Sequence, residues 1–369
     1  MIQHPPTPYA KEYQNFRDPF AFWHEQTRKW VLVTALAQIH KLLIWTSPNL
    51  RNWTVASEFG PVNAVGGVWE CPNLFPLPVD NSPKTSKWVL VLGLNPGGPP
   101  ETVGSGTQYF IGSFNGTTFT PDRDNVYPGN ESANWMDYGP DYYAAASYNG
   151  LQQDDRVQIG WMSNWQYGDK IPTKPWHGAM ASPRQLSLKT IGQKTTLIQK
   201  PHENVKSIRS QRAQSFDWPS LPAGNKSLGS QGKLLDMELS FLDKNKSSST
   251  SEFGVVVQAT ANLTQQTRVG YDFNTRKMFV DRRMSGNVSF DDTFPSVYHA
   301  PLSPSSDGKV KLRILVDWSS VEVFGGEGES TLTAQVFPGQ NATQAQLFST
   351  GGSTENVTLS IWKMSSIWN

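Results

Sequence analysis

Arg17-Asp18-Pro19-Phe20-Ala21-Phe22-Trp23-His24, followed after a charged turn by Lys29-Trp30-Val31-Leu32-Val33, sets the pattern of this chain. A carboxylate beside a proline opens an aromatic run of strand length, and a polar turn and a β-branched run follow. A third run, Leu42-Leu43-Ile44-Trp45, ends on the turn Ser47-Pro48-Asn49-Leu50. The order recurs from Glu70 in Trp69-Glu70-Cys71-Pro72, with Leu74-Phe75, a polar turn, Trp88-Val89-Leu90-Val91-Leu92 and Gln108-Tyr109-Phe110-Ile111. It recurs again from Asp137 in Asp137-Tyr138-Gly139-Pro140, with Tyr142-Tyr143-Ala144-Ala145, a turn at Asn149-Gly150 and Val157-Gln158-Ile159-Gly160-Trp161. No helical period of comparable length competes. Four short strands per unit, at a repeat of about 50 to 65 residues, predict an all-β chain built from β-propeller blades. Innermost strands line a propeller axis, so an acid at one place in successive units predicts carboxylates aimed into one funnel. Paired carboxylates in a sugar-sized cleft are the machinery of glycosidic bond cleavage.

The pattern changes past residue 200. Lys200-Pro201-His202-Glu203 through Leu221-Pro222-Ala223-Gly224 is polar and punctuated by proline, which predicts a linker over 201–225. Alternating strands then resume, among them Leu234–Leu242, Phe253–Gln258, Lys277–Asp281, Val310–Val316 and Ser320–Phe324. Antiparallel strands at this spacing predict a β-sandwich over 226–369, behind a partial propeller over 1–200. The serine-rich stretch from Asp243 to Glu252 reads as a solvated loop.

Composition narrows the function. With 32 basic and 31 acidic residues, nothing draws the chain to nucleic acid or anionic membranes, and no apolar stretch is long enough to span a bilayer. Six scattered histidines give no metal-ligand spacing, so no metal and no cofactor is expected. Gly104-Ser105-Gly106 lacks the rest of a dinucleotide loop, Asp122-Arg123-Asp124 the rest of a calcium loop, and no nucleophile elbow is present. Cys71 is the single cysteine and forms no intramolecular disulfide; it reads as a buried thiol beside Glu70. Fourteen tryptophans suit a core and also a carbohydrate cleft. Asn-x-Ser/Thr occurs at Asn52, Asn115, Asn130, Asn225, Asn245, Asn262, Asn287, Asn341 and Asn356, which favours a secreted glycoprotein. Met1 to Gln14 has no signal-peptide pattern, so secretion is expected of a longer form.

These residues resemble glycoside hydrolase family 32, the invertases, inulinases and levanases that act on β-fructofuranosides, with the fungal invertase and exo-inulinase branch nearest. Asn15-Phe16-Arg17-Asp18-Pro19 is similar to the family's Arg-Asp-Pro motif and Val68-Trp69-Glu70-Cys71-Pro72 to its Glu-Cys-Pro motif. Asp137 to Ala144, Gly160-Trp161-Met162-Ser163-Asn164-Trp165 and Leu315 to Phe324 resemble later signatures. The resemblance implies a five-bladed propeller followed by a β-sandwich, and a retaining mechanism on sucrose or inulin-type fructans without a cofactor. Carried over by motif, it makes Glu70 the acid/base and Asp18 the transition-state stabiliser, with Arg17, Asp137 and Trp165 as substrate contacts. The acid must meet substrate still protonated, a condition that burial favours.

One departure is large. The family's nucleophile lies in a Trp-Met-Asn-Asp-Pro-Asn type motif well ahead of Arg-Asp-Pro, and nothing in the sixteen residues before Arg17 resembles it. The expectation is a truncated gene model that lacks the first blade, part of the second and the nucleophile, so that activity is impaired. Fructosyl transfer by the same residues, or a non-catalytic fructan-binding remnant, are the alternatives.

Overall fold

The structure is a computed structural model that describes residues 2–128, 133–151, 155–243 and 250–367. The expected loop from Asp243 to Glu252 falls largely on 244–249, outside the described residues. The chain forms two compact units: Met1–Met136 with Tyr142–Trp161 and Gln185–Leu197, and Asp137–Asp141 with Met162–Arg184 and Ile198–Asn369.

The first unit is built from four-stranded meanders. One sheet runs in order β1 (Phe16–His24), β2 (Lys29–Leu36), β3 (Lys41–Ser47) and β4 (Thr54–Phe59), all antiparallel. A second follows with β5 (Val68–Val79), β6 (Ser82–Asn95), β7 (Gly106–Phe114) and β8 (Phe119–Pro121), and the short β9 (Asn134–Trp135) pairs with β7. The third begins with β10 (Tyr143–Ser147) and β11 (Arg156–Met162). Past a two-residue β12 (Ala179–Met180), it continues with β13 (Arg184–Ile191) and β14 (Lys194–Pro201). Central strands are buried on both faces: Val31 to Ala35 in β2 and Val89 to Leu92 in β6 are almost wholly covered. This explains why they read as continuous apolar runs rather than as alternation. These are propeller blades, each with its innermost strand first.

The second unit is a sandwich of two six-stranded antiparallel sheets. It comprises β15 (Gln214–Leu221), β16 (Gly224–Ser230), β17 (Leu235–Leu242), β18 (Glu252–Ala259), β19 (Gln266–Asp272), β20 (Lys277–Met284), β21 (Val297–Pro301), β22 (Lys309–Asp317), β23 (Ser320–Gly325), β24 (Ser330–Gln335), β25 (Gln344–Thr350) and β26 (Thr354–Lys363). The sheet orders are β15-β26-β17-β22-β23-β24 and β16-β25-β18-β19-β20-β21. Alternating residues supply one shared core. Leu235, Met237, Leu239 and Phe241 of one sheet meet Phe253, Val255 and Val257 of the other, all at most 1% exposed.

The expected linker at 201–225 needs correction. After a 3-10 turn at Glu203–Ile208, the chain enters β15 and then β16, each at the edge of one sandwich sheet. In β15 only Phe216 and Trp218 alternate toward the core before Pro219, and the rest of the strand, bonded only to β26, is largely exposed. Proline and charge are what edge strands carry.

A short segment ends the same sheet on its other side. Tyr138 and Asp141 donate backbone N–H groups to the carbonyls of Thr331 and Thr333 on β24, at 2.9 and 3.2 Å. The approach is close: a Cβ on Gly139 would lie 2.2 Å from the Thr333 oxygen, so only glycine fits. The two aspartates that bracket this segment are buried and paired. Asp141 faces Arg282 at 2.8 Å, and Asp137 faces Arg184 at 2.8 Å, with none of the four more than 2% exposed. Arg282 also donates to the Phe294 carbonyl and to the hydroxyls of Tyr167 and Tyr298, and it lies 3.7 Å from the Phe294 ring centroid. Burial works against its charge. The hydroxyls of Tyr167 and Tyr298 and the carboxylate of Asp141 outweigh that and raise its pKa.

Candidate active site

The first strands of the three blades carry the same irregularity at the same place. In β1, Arg17 pairs with Ala35 and Phe20 with Val33, so three steps on one strand answer two on its neighbour. Glu70 and Asn73 answer Gly93 and Val91 in the same way, and Tyr143 and Ala146 answer Trp161 and Ile159. Each is a β-bulge of one extra residue. In each, the residue after the first is left-handed: Asp18 at φ 60°, Cys71 at φ 50° and Ala144 at φ 47°. For residues other than glycine this backbone is strained, and such strain gathers at functional sites.

The bulges correct the expected alignment of the acids. Arg17, Glu70 and Tyr143 occupy the equivalent position, and Asp18 corresponds to Cys71 and Ala144. The three equivalent side chains meet: Arg17 donates from Nη2 to Glu70 Oε1, and the Tyr143 hydroxyl donates to Glu70 Oε2. Asn15 accepts from the other terminal nitrogen of Arg17. Asp18 turns beside them, its Oδ2 accepting the backbone N–H of Cys71 at 2.9 Å and the thiol at 3.6 Å, with Arg17 Nε 3.8 Å away. The side chains of Arg17, Asp18 and Glu70 are 38%, 27% and 13% exposed, so the cluster is open to a solute. Gly93 makes room for it, since a Cβ there would sit 2.8 Å from the Tyr143 ring.

The electrostatics keep the donors protonated. Burial opposes the Arg17 charge, but the hydrogen bond and charge of Glu70, then Asp18, raise its pKa. Burial, then the Glu70 hydrogen bond and charge, push the Tyr143 hydroxyl far up, so it acts as a donor. Burial, then the charges of Asp18 and Glu70, push the Cys71 thiol up to about 12. Its thiolate is therefore scarce until the pH nears 12, three units above the ordinary value of 9.0. Alkylation of Cys71 at pH 8 is expected to run roughly a thousandfold slower than in the unfolded chain and to climb about tenfold per pH unit up to pH 11. A folded-state rate within tenfold of the unfolded one, measured by mass spectrometry, would contradict this environment.

Two sequence expectations stand differently. Asp137 is corrected: both its oxygens are engaged, Oδ1 by the N–H groups of Gly139 and Thr333 and Oδ2 by Arg184 and the Thr333 hydroxyl. A carboxylate so enclosed presents nothing to a sugar. Trp165 is 57% exposed and lies on the second unit. Tyr143 lies within the strand Tyr142-Tyr143-Ala144-Ala145 but is not an acid, and its signal as a site residue is the position it shares with Glu70. Among the described residues no group of three or more His, Cys, Asp and Glu side chains is set to hold a metal ion.

Residues 1–201 match the glycosyl hydrolases family 32 N-terminal domain and 204–363 the family 32 C-terminal domain. The extracellular exo-inulinase of Aspergillus awamori is 59% identical over 100% of this chain and 68% of its own length, and the levanase of Bacillus subtilis 42% over 98% and 52%. The crystal structure of the A. awamori exo-inulinase superposes with a TM-score of 0.96 at 58% identity, over 100% of this chain and 70% of that one. The β-fructofuranosidase of Schwanniomyces occidentalis, complexed with fructosyl-erythritol, gives 0.81 at 27% over 96% and 71%. The chain belongs to glycosyl hydrolase family 32, and its class of reaction is hydrolysis of O-glycosyl bonds.

Proposed function

We propose that the cluster is the reaction centre of a β-fructofuranosidase of exo-inulinase type, acting on sucrose and on the ends of inulin-type fructans with retention. Glu70 is the acid/base: it protonates the leaving oxygen and then takes a proton from water. Asp18 holds fructose hydroxyls as a hydrogen-bond acceptor. Arg17 and Tyr143 fix both Glu70 oxygens, so the acid meets the bond in one orientation. The observation that carries this reading is the convergence of Arg17, Glu70 and Tyr143 from three bulged strands beside Asp18.

The family resemblance expects an attacking aspartate well ahead of Arg17, and none of the sixteen residues before Arg17 is an aspartate. That observation favours a second reading, a fructan-binding protein with impaired turnover. Both readings require saturable binding of 1-kestose. Asp18→Asn is expected to weaken it about tenfold, since it removes a charge that hydrogen-bonds hydroxyls; calorimetry with no heat of binding in the unmodified chain would dismiss both. The seven described sequon asparagines are all exposed, which supports secretion and glycosylation, and the A. awamori relative is named extracellular.

A further inference from the structure

A cavity lies along β1 and β5, past the residues that present the cluster. It has a volume of about 310 Å³ and is lined by Phe22, Trp23 and Glu25 at the end of β1, Phe75 in β5, Trp88 in β6 and Arg156 in β11, among others. Asp18 precedes Phe22 by four residues and Glu70 precedes Phe75 by five. Phe20, two residues past Asp18, stands at the cavity's near edge, while Trp23 and Glu25 at its far end are roughly 15 Å or more along the strand at about 3.3 Å per residue. Its far end is therefore clear of the acids. Its size is at the lower end of small-molecule pockets, roughly 300–1,000 Å³.

Its chemistry is that of a sugar site. Phe22 and Trp88 lie 5.5 Å apart and tilted, a broad apolar wall. Trp23 is 41% exposed, and its indole N–H is held at 2.5 Å by Glu25, which fixes the ring as a platform. Arg156 lies over the Phe75 ring at 4.8 Å. One of its terminal nitrogens, Nη1, donates to the Tyr148 carbonyl and the Ser147 hydroxyl. Among the described residues no carboxylate pairs with this guanidinium, and burial lowers its pKa. A half-covered guanidinium set on an aromatic wall suits a neutral ligand with hydroxyl acceptors and a flat C–H face.

We infer that this pocket is a second carbohydrate site, which binds one sugar ring of an oligosaccharide without cleaving it. The choice of fructan as that oligosaccharide rests on the proposed function, while the pocket's own chemistry specifies a neutral sugar. Such a site would hold a polymer on the molecule while its end is engaged elsewhere, raising the local concentration of ends.

The test is titration of 1-kestose into the full chain, followed by tryptophan fluorescence and by ligand-observed saturation-transfer NMR. Trp23→Ala and Arg156→Gln are each expected to weaken one binding component about tenfold and to leave the component sensitive to Asp18→Asn unchanged. Trp23 is exposed enough for truncation to leave the fold intact, and near-UV circular dichroism checks both variants. Identical isotherms in the unmodified chain and both variants would overturn the inference. So would loss of all binding in Asp18→Asn alone, which would leave the proposed function standing. An acidic sugar binding far more tightly than 1-kestose would overturn the assignment to a neutral ring.

Discussion

Arg282→Met is expected to destabilise the sandwich unit by about 3–5 kcal/mol, the cost of leaving a buried charge without its partner. Asp141 would keep the Tyr167 hydroxyl and the Gln335 N–H, at 2.7 Å each, but lose the guanidinium that balances its charge. The methionine would also leave the hydroxyl of Tyr298 and the carbonyl of Phe294 short of a donor in a dry interior. The double variant Asp141→Leu with Arg282→Met should recover part of the loss, because it removes both charges together. Urea denaturation at pH 7 measures both. A single variant within about 1 kcal/mol of the unmodified chain would show that the pair contributes little and that packing around Phe294 holds this region.

Turnover is the second large effect. The 369-residue chain is expected to release fructose from sucrose and inulin on the order of 10⁴-fold or more below the A. awamori exo-inulinase in the same assay, as removal of a nucleophile costs in other hydrolases. Glu70→Gln should lower what remains by far less than the 10²–10⁴-fold typical of an acid/base residue. Groups that act as a unit do not contribute additively, and an acid has little to protonate when no carboxylate attacks. Release within tenfold of the relative, abolished by Glu70→Gln, would mean that another carboxylate attacks. The reading of this chain as impaired would then fall, with the acid/base assignment strengthened.

The architecture was legible because most strands are either buried on both faces or cleanly alternating, and both patterns survive in sequence. The blades announced themselves through Trp30 to Val33 and Trp88 to Leu92. The equivalence of their parts did not, because an extra residue leaves no mark on composition. Matching acid to acid set Asp18 beside Glu70 and Asp137, whereas the backbone sets Arg17 beside Glu70 and Tyr143. Asp137 was misread for a related reason. Its partner Arg184 stands 47 positions away on another element, and a buried ion pair looks in sequence like two unrelated polar residues. Edge strand β15 was hidden by the same features, proline and charge, that keep an edge from pairing further.

A strand is read in twos, and each bulge shifts that reading frame by one. In β1, Arg17 shares a face with Phe20, Phe22 and His24 only because Asp18 and Pro19 together occupy one place in the ladder. Removing a single residue there would exchange inside for outside along the rest of the strand, burying what now faces the pocket wall and exposing what now packs. The same holds after Glu70 and Tyr143. Changes of length by one residue are thus what this architecture tolerates least at these three points. Substitution at the left-handed place is open to any side chain that accepts the backbone, as an aspartate, a cysteine and an alanine already do.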